Sequence, residues 1–119
     1  MYKIFFLAVS IALGTTACVQ KTQKRVVVVT VSLQQVEKAA KVGIRGGGNP
    51  LTWENDWELT PTITDSVFTG SFVANTAYNS YEVKFTLNGE MELNNKPNRV
   101  ITFATKGDTT FYNAIFNKP

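Results

Sequence analysis

The stretch over residues 81–99 constrains the fold of this chain more than any other. Apolar and polar side chains alternate over Tyr81–Leu87, so an extended strand there would have one apolar and one polar face. Asn88-Gly89 follows, and this pair is the strongest short hairpin signal because both residues tolerate positive φ. Glu90–Leu93 then forms a short return strand, and Pro97 ends the ladder. The stretch therefore predicts a β-hairpin.

Further runs of β-branched and aromatic residues recur roughly every eight to twelve positions, separated by polar, glycine-rich or proline-containing turns. This spacing predicts an all-β fold, a seven- to eight-stranded antiparallel β-sandwich of immunoglobulin-like type. Residues 34–41 have a helical composition without a good N-cap, so we expect a connection with one helical turn at most. The predicted strands are 26–33, 42–45, 57–60, 67–75, 81–87, 90–93, 99–104 and 109–117.

The first seventeen residues are typical of a secretory signal peptide. Lys3 supplies a positive charge, an apolar run covers Ile4–Leu13, and small residues lead to Ala17. The end of this segment resembles a bacterial lipoprotein cleavage site, in which Cys18 would become the lipidated first residue of the mature protein. An ordinary secretory signal followed by an incidental cysteine is the alternative.

Three regions follow from this interpretation. Residues 1–17 are the lipoprotein signal peptide, 18–25 are the lipidated cysteine with a polar tether, and 26–119 are the folded domain. We expect a lipid-anchored protein of the bacterial cell envelope, on the periplasmic face or at the outer membrane. The basic residues of the tether either lie against anionic headgroups or only keep the tether solvated.

The composition of the domain disfavours several classes of function. From residue 26 onward, Lys and Arg nearly balance Asp and Glu, so there is no basic surface for nucleic acid. The chain contains no histidine, which excludes Ser-His and Cys-His nucleophiles and removes the commonest zinc ligand. We therefore expect no enzyme activity, no cofactor and no metal.

Acidic residues offer two weaker alternatives. Glu90 and Glu92 are two apart on a strand and share a face, as paired carboxylates of a glycosidase would need, but no partner carboxylate is placed across from them. Glu54, Asp56 and Glu58 alternate near Trp53, yet their spacing matches no defined calcium loop. Exposed strand and loop charges are the favoured interpretation of both groups.

Aromatic residues beside polar loops are more informative. Trp53, Trp57, Tyr78 and Tyr81 lie next to Asn, Thr and Glu residues. Flat rings beside amides and carboxylates suit sugars, because sugar C–H faces stack on rings while the hydroxyl groups form hydrogen bonds. The alternative is that Trp53 or Trp57 closes an open end of the sandwich.

The order of motifs resembles a known family. A Val42-Gly43 strand leads to a glycine-rich loop carrying Trp53, Lys84-Phe85 follows on a later strand, and a Glu-rich return leads to Pro97-Asn98-Arg99. This order resembles the starch-binding domains of carbohydrate-binding module family 20 and the related glycogen-binding domains, over residues 26–116. The resemblance implies a β-sandwich that binds α-glucans without catalysis.

The resemblance also implies a surface site. Trp53 would stack on a sugar ring, Glu82 and Lys84 would contact hydroxyl groups, and Asn98 would form a hydrogen bond. Tyr78 is a candidate for a second family site that uses loop tyrosines.

Leu93 stands where the family has its second stacking tryptophan. A two-residue turn at Asn88-Gly89 places Leu93 opposite Lys84 on the outer face. Simple apolar alternation instead favours Leu93 beside Phe85, which needs a three-residue turn. The resemblance favours the first register, with Leu93 on the surface.

Two functions follow as hypotheses. The first is a non-catalytic carbohydrate-binding module, most consistent with an α-glucan ligand, anchored to the envelope by a lipid. The second is an interaction module with an envelope protein partner, since an outer patch of Trp53 and Leu93 would be apolar. An independent hydrolase has no supporting constellation.

Overall fold

The computed structural model describes residues 21–105 and 107–119, so the predicted signal and Cys18 lie outside the described residues. Within them, nine strands form two sheets, and none of the described residues forms a helix. The all-β sandwich is thus confirmed, with nine strands rather than seven or eight. The strands are β1 (Gln23–Ser32), β2 (Val42–Gly46), β3 (Trp57–Glu58), β4 (Thr60–Ile63), β5 (Val67–Thr76), β6 (Ser80–Leu87), β7 (Glu90–Met91), β8 (Arg99–Thr102) and β9 (Thr110–Ile115).

The first sheet has the order β4-β5-β1-β9, and the second has the order β3-β2-β6, with β7 and β8 both paired to β6. Pairing is antiparallel except between β1 and β9, which run parallel. The expectation of a purely antiparallel sandwich is therefore wrong at this one pair. Strand β1 is central in the first sheet, and the last strand, β9, pairs with it at the edge of the sheet.

The core lies between the sheets and follows the alternation of the strands. On β6, Val83 and Phe85 are fully buried, as the alternation over Tyr81–Leu87 predicted. The predicted inward face of β5 is also confirmed, with Phe68 and Phe72 almost fully buried. Removing these apolar surfaces from water is the main favourable contribution to folding. The remaining fully buried side chains of the core are Val27, Val29, Val31, Ile44, Ala74 and Ile101.

The sheet begins earlier than the predicted domain. Residues 23–25, assigned to the tether, pair with the end of β5, starting with Gln23 opposite Thr76. Arg25 donates to the Ala104 carbonyl over 2.6 Å and lies 5.9 Å above the centre of the Phe103 ring. These three residues therefore belong to the folded domain, because their backbone and the Arg25 side chain close one end of the sandwich.

The chain passes from the second sheet to the first at Leu59. This residue is 3% exposed, and its N–H donates to the Val42 carbonyl over 2.9 Å. The predicted single strand 57–60 is therefore two strands in different sheets. Pro61 was expected to end the strand, but it lies within β4, where an edge position tolerates the missing N–H.

The connection between β1 and β2 has no helical turn. Ala39 adopts a φ of 57°, which interrupts a right-handed helix, and its N–H donates to Asp65 Oδ1 over 3.3 Å. Among the described residues, no helix is long and apolar enough to cross a bilayer.

The hairpin register is the one that the resemblance favoured, not the one that apolar alternation favoured. Thr86 pairs with Met91 and Leu87 with Glu90, so the turn consists of two residues. Asn88 and Gly89 both have positive φ, at 52° and 83°, which matches the twist of the flanking strands. The return strand ends at Met91 rather than at Leu93.

Candidate functional site

Most of the predicted site residues share the outer surface of the second sheet. Arg45 pairs with Lys84 across β2 and β6, and Glu82 pairs with Val100 across β6 and β8. Asn98 directly precedes β8, whose first residue Arg99 pairs with Val83, and an extended backbone at Asn98 would place its side chain on the same side as Lys84. We use the name outer surface for the following six residues: Arg45, Trp53, Glu82, Lys84, Asn98 and Val100.

Trp53 reaches the outer surface from the loop that follows β2. The Gly47 N–H donates to the Glu82 carbonyl over 3.1 Å, so Gly47 lies opposite Glu82. A Cβ at Gly47 would lie 3.3 Å from Trp53 Nε1, which places the indole over this glycine. The partly exposed Trp53 ring and the exposed Glu82 therefore lie on the same side of the second sheet, on either side of Gly47.

An ion pair missed by the sequence analysis fixes the Trp53 loop. Arg45 Nε donates to Asp56 Oδ1 over 2.6 Å, and Arg45 Nη1 donates to the Trp53 carbonyl over 3.3 Å. A Cβ at Gly43 would lie 2.8 Å from Asp56 Cβ, so the absence of a side chain there lets Asp56 lie close to the strand. Thr86, fully buried despite its outward register, lies beside Gly43. In the described part of the chain, no cluster of three or more His, Cys, Asp or Glu side chains could hold a metal ion.

Lys84 has a structural role on this surface. Its Nζ donates to the Leu93 carbonyl over 3.0 Å and to the Lys96 carbonyl over 3.1 Å. These bonds hold the loop after β7 against β6. An ammonium group has three N–H donors, so these bonds use two of the three.

Leu93 is not a surface residue, and the prediction that it lies exposed beside Lys84 is wrong. It is 2% exposed, outside the main core cluster, and has a φ of 53°. The ladder ends at Met91, so Leu93 turns inward and presents its carbonyl, not its side chain, to Lys84. The expected apolar patch of Trp53 and Leu93 does not exist, and the argument for a protein partner at this place is lost.

The other aromatic residues separate into different roles. Tyr81 is 5% exposed, packs edge-to-face on Phe103 at 5.1 Å, and donates its hydroxyl to the Asn49 carbonyl over 2.9 Å. Tyr78 is 74% exposed in the loop between β5 and β6. Trp57 donates its Nε1–H to the Ser71 carbonyl over 3.1 Å, which bridges the edges of the two sheets. Trp57 thus closes a side of the sandwich, and Trp53 remains the ring of the outer surface.

A buried ion pair lies beneath the loop that carries Asn98. Glu92 Oε2 accepts from Arg99 Nε over 2.7 Å and Oε1 accepts from Arg99 Nη2 over 2.8 Å. Their side chains are 0% and 7% exposed. The hydrogen bonds to Glu92 raise the pKa of Arg99, so the guanidinium stays charged. Glu92 was expected to be an exposed strand charge, and that expectation is wrong.

The Glu92 carboxylate also accepts a hydrogen bond from the backbone of β6, in the place of a backbone carbonyl. Glu92 N–H donates to the Phe85 carbonyl over 3.0 Å, while the Phe85 N–H donates to Glu92 Oε2 over 2.8 Å. Glu92 Oε1 also accepts from the Asn117 N–H, and Arg99 Nη2 donates to the Ile115 and Lys118 carbonyls. The pair therefore joins β6, β8 and the C-terminal segment, and it sets the position from which Asn98 projects.

A Gly48→Ala substitution tests how the Trp53 loop is packed. The new methyl group would overlap Cε1 and Cζ of the buried Tyr81 ring, so either the ring or the loop must move. We expect a loss of about 1–3 kcal/mol in the free energy of unfolding, measured by urea denaturation. Gly47→Ala is the neighbouring control, since its methyl group would approach only the Trp53 indole. Equal stabilities of the two variants would contradict this packing.

No family model matches the chain, and no curated protein shows significant similarity to it.

Proposed function

We propose that this domain is a non-catalytic carbohydrate-binding module whose ligand is an α-glucan. The observation that carries the proposal is the convergence of Trp53, Glu82, Lys84 and Asn98 on one outer surface. The indole offers a flat face for the C–H groups of a sugar ring. The carboxylate, amide and ammonium groups supply acceptors and donors for its hydroxyl groups. The choice of an α-glucan rests on the resemblance of the motif order to starch-binding domains.

Pre-organisation of the ring supports the proposal. Trp53 is held by Arg45 through its carbonyl and lies over Gly47, so little freedom of the loop would be lost on binding. Ordering a flexible side chain on binding costs roughly 0.5–1.5 kcal/mol, and a loop already held in place keeps this cost small.

The surface offers one stacking ring, because Leu93 is buried where the family has its second tryptophan. An aromatic contact of this kind contributes on the order of 1 kcal/mol, so its absence lowers the affinity roughly tenfold relative to a two-ring site. We therefore expect weak binding of short oligosaccharides.

We further propose that Cys18 carries a lipid that anchors the domain in the bacterial cell envelope. The small residues before Cys18, the apolar run of the leader and the absence of any other cysteine support this proposal. The anchor would hold the domain at the membrane.

Affinity electrophoresis in gels containing amylopectin or glycogen tests the glucan proposal. We expect the wild-type protein to be retarded, and Trp53→Ala to lose roughly tenfold in affinity because the stacking ring is removed. Trp57→Ala is the matched control, since it removes the same side chain from the side of the sandwich. Equal wild-type mobility in gels with and without glucan would refute the proposal.

A further inference from the structure

The outward face of the first sheet carries exposed apolar side chains. Val26 pairs with Val73 on this face, and their exposed fractions are 43% and 48%. Phe111, paired with Val28 across the parallel strands, is 72% exposed. Neighbouring exposed apolar side chains are a feature of surfaces that bind a partner or a membrane.

The charges of this face are as informative as its apolar groups. On β1, β5 and β9, every outward residue between the Val26–Val73 pair and the Ser32–Ile115 pair is uncharged. Lys24, the outward residue of β1 before Val26, is exposed. Glu58 borders this face at the β3–β4 side, next to Val28 and Ser71, whereas Glu82 lies on the opposite side of the sandwich. An apolar face bordered by a lysine is suited to a surface with hydrocarbon beneath anionic headgroups.

The position of the predicted lipid anchor favours a membrane as the partner that covers this face. Strand β1 begins at Gln23, with four residues between it and Cys18, so five Cα–Cα steps join them and an extended chain reaches about 18 Å at most. Val26, Val73 and Phe111 lie near that end of β1, and the next outward positions carry the hydroxyl and amide side chains of Thr30, Thr69 and Asn113. Two further exposed apolar side chains, Ile63 and Ile115, lie at the far end of the face. The apolar side chains near the start of β1 are therefore within reach of the bilayer.

We propose that the outward face of the first sheet, with Val26, Val73 and Phe111, lies on the lipid surface that holds the anchor. This inference rests on the proposed lipid at Cys18. The Trp53 side of the sandwich then faces away from the bilayer and stays accessible to a polysaccharide, because the two outer faces are opposite each other.

The test uses the full lipidated protein in vesicles of phosphatidylethanolamine and phosphatidylglycerol. A nitroxide label is attached in turn to Val73→Cys and Val100→Cys. These matched valines are 48% and 51% exposed on opposite outer faces of the sandwich. Collision rates with oxygen and with a water-soluble nickel chelate are compared for vesicle-bound protein and for protein in solution below the vesicle-binding concentration.

We expect nickel collisions at position 73 to fall several-fold on vesicles while oxygen collisions rise, and position 100 to stay unchanged. Adding Phe111→Ser should restore nickel access at position 73. Equal changes at both positions in protein that floats with vesicles would overturn the proposed face and leave the anchor intact. Protein that does not float with vesicles would overturn both. Label–label dipolar broadening at position 73 would show that a second copy covers the face, which also overturns it.

Discussion

Arg99→Met is expected to destabilise the domain by about 3–5 kcal/mol, because it leaves the Glu92 carboxylate buried without its counter-ion. The loss is a large share of the roughly 5–15 kcal/mol that holds a small domain folded. The same change releases the Ile115 and Lys118 carbonyls that Arg99 binds. Urea denaturation of the wild-type and variant proteins measures the effect.

Two further variants separate the charge from the packing. Arg45→Met breaks the more exposed pair with Asp56, whose side chains are 19% and 29% exposed, and should cost about 1 kcal/mol or less. Glu92→Gln combined with Arg99→Met removes both charges and keeps an oxygen for the Phe85 N–H, so it should be more stable than Arg99→Met alone. An Arg99→Met loss no larger than that of Arg45→Met would contradict a buried pair.

Phe85→Ala is expected to cost about 3–5 kcal/mol through lost burial and the cavity left behind. The Phe85 ring is fully buried and stacks on Tyr112 of the first sheet, with ring centres 6.4 Å apart and 19° between their planes. The Arg99 guanidinium lies 5.7 Å from the centre of the same ring. The substitution therefore removes an inter-sheet contact as well as buried area.

Phe111→Ala is the control for Phe85→Ala, because Phe111 is 72% exposed and its loss should change stability by about 0.5 kcal/mol or less. Both variants are measured by urea denaturation with the slope of the transition compared. Similar losses for the two phenylalanines would mean that Phe85 does not form the centre of the core.

The parts of the fold predicted from the sequence are those that local chemistry decides. Alternation over Tyr81–Leu87 and the turn residues Asn88-Gly89 specify a strand and a two-residue hairpin without reference to the rest of the chain. The inward face of β5 follows from the same alternation. The crossing at Leu59 was missed because a strand that changes sheets has the same local pattern as one that does not.

The candidate site was predicted in part for a similar reason. Glu82 and Lys84 were placed on one face by alternation alone, and the register of β8 adds Asn98. The burial of Leu93 depends on where the β7 ladder stops and on the Asn117 side chain, which accepts from the Leu93 N–H over 2.9 Å. Glu92 finds its partner Arg99 seven residues away, and neither residue type signals burial in a sequence.

The central place of β1 would have a mechanical consequence under the proposed anchoring of the chain at Cys18. All ten residues of β1 pair with β5, and six of them also pair with β9. A pull transmitted from the tether acts along β1, so these hydrogen bonds would be loaded in shear together rather than opened one after another. Tension between an anchored chain end and a captured polymer would therefore meet the most extensively bonded strand of the domain first.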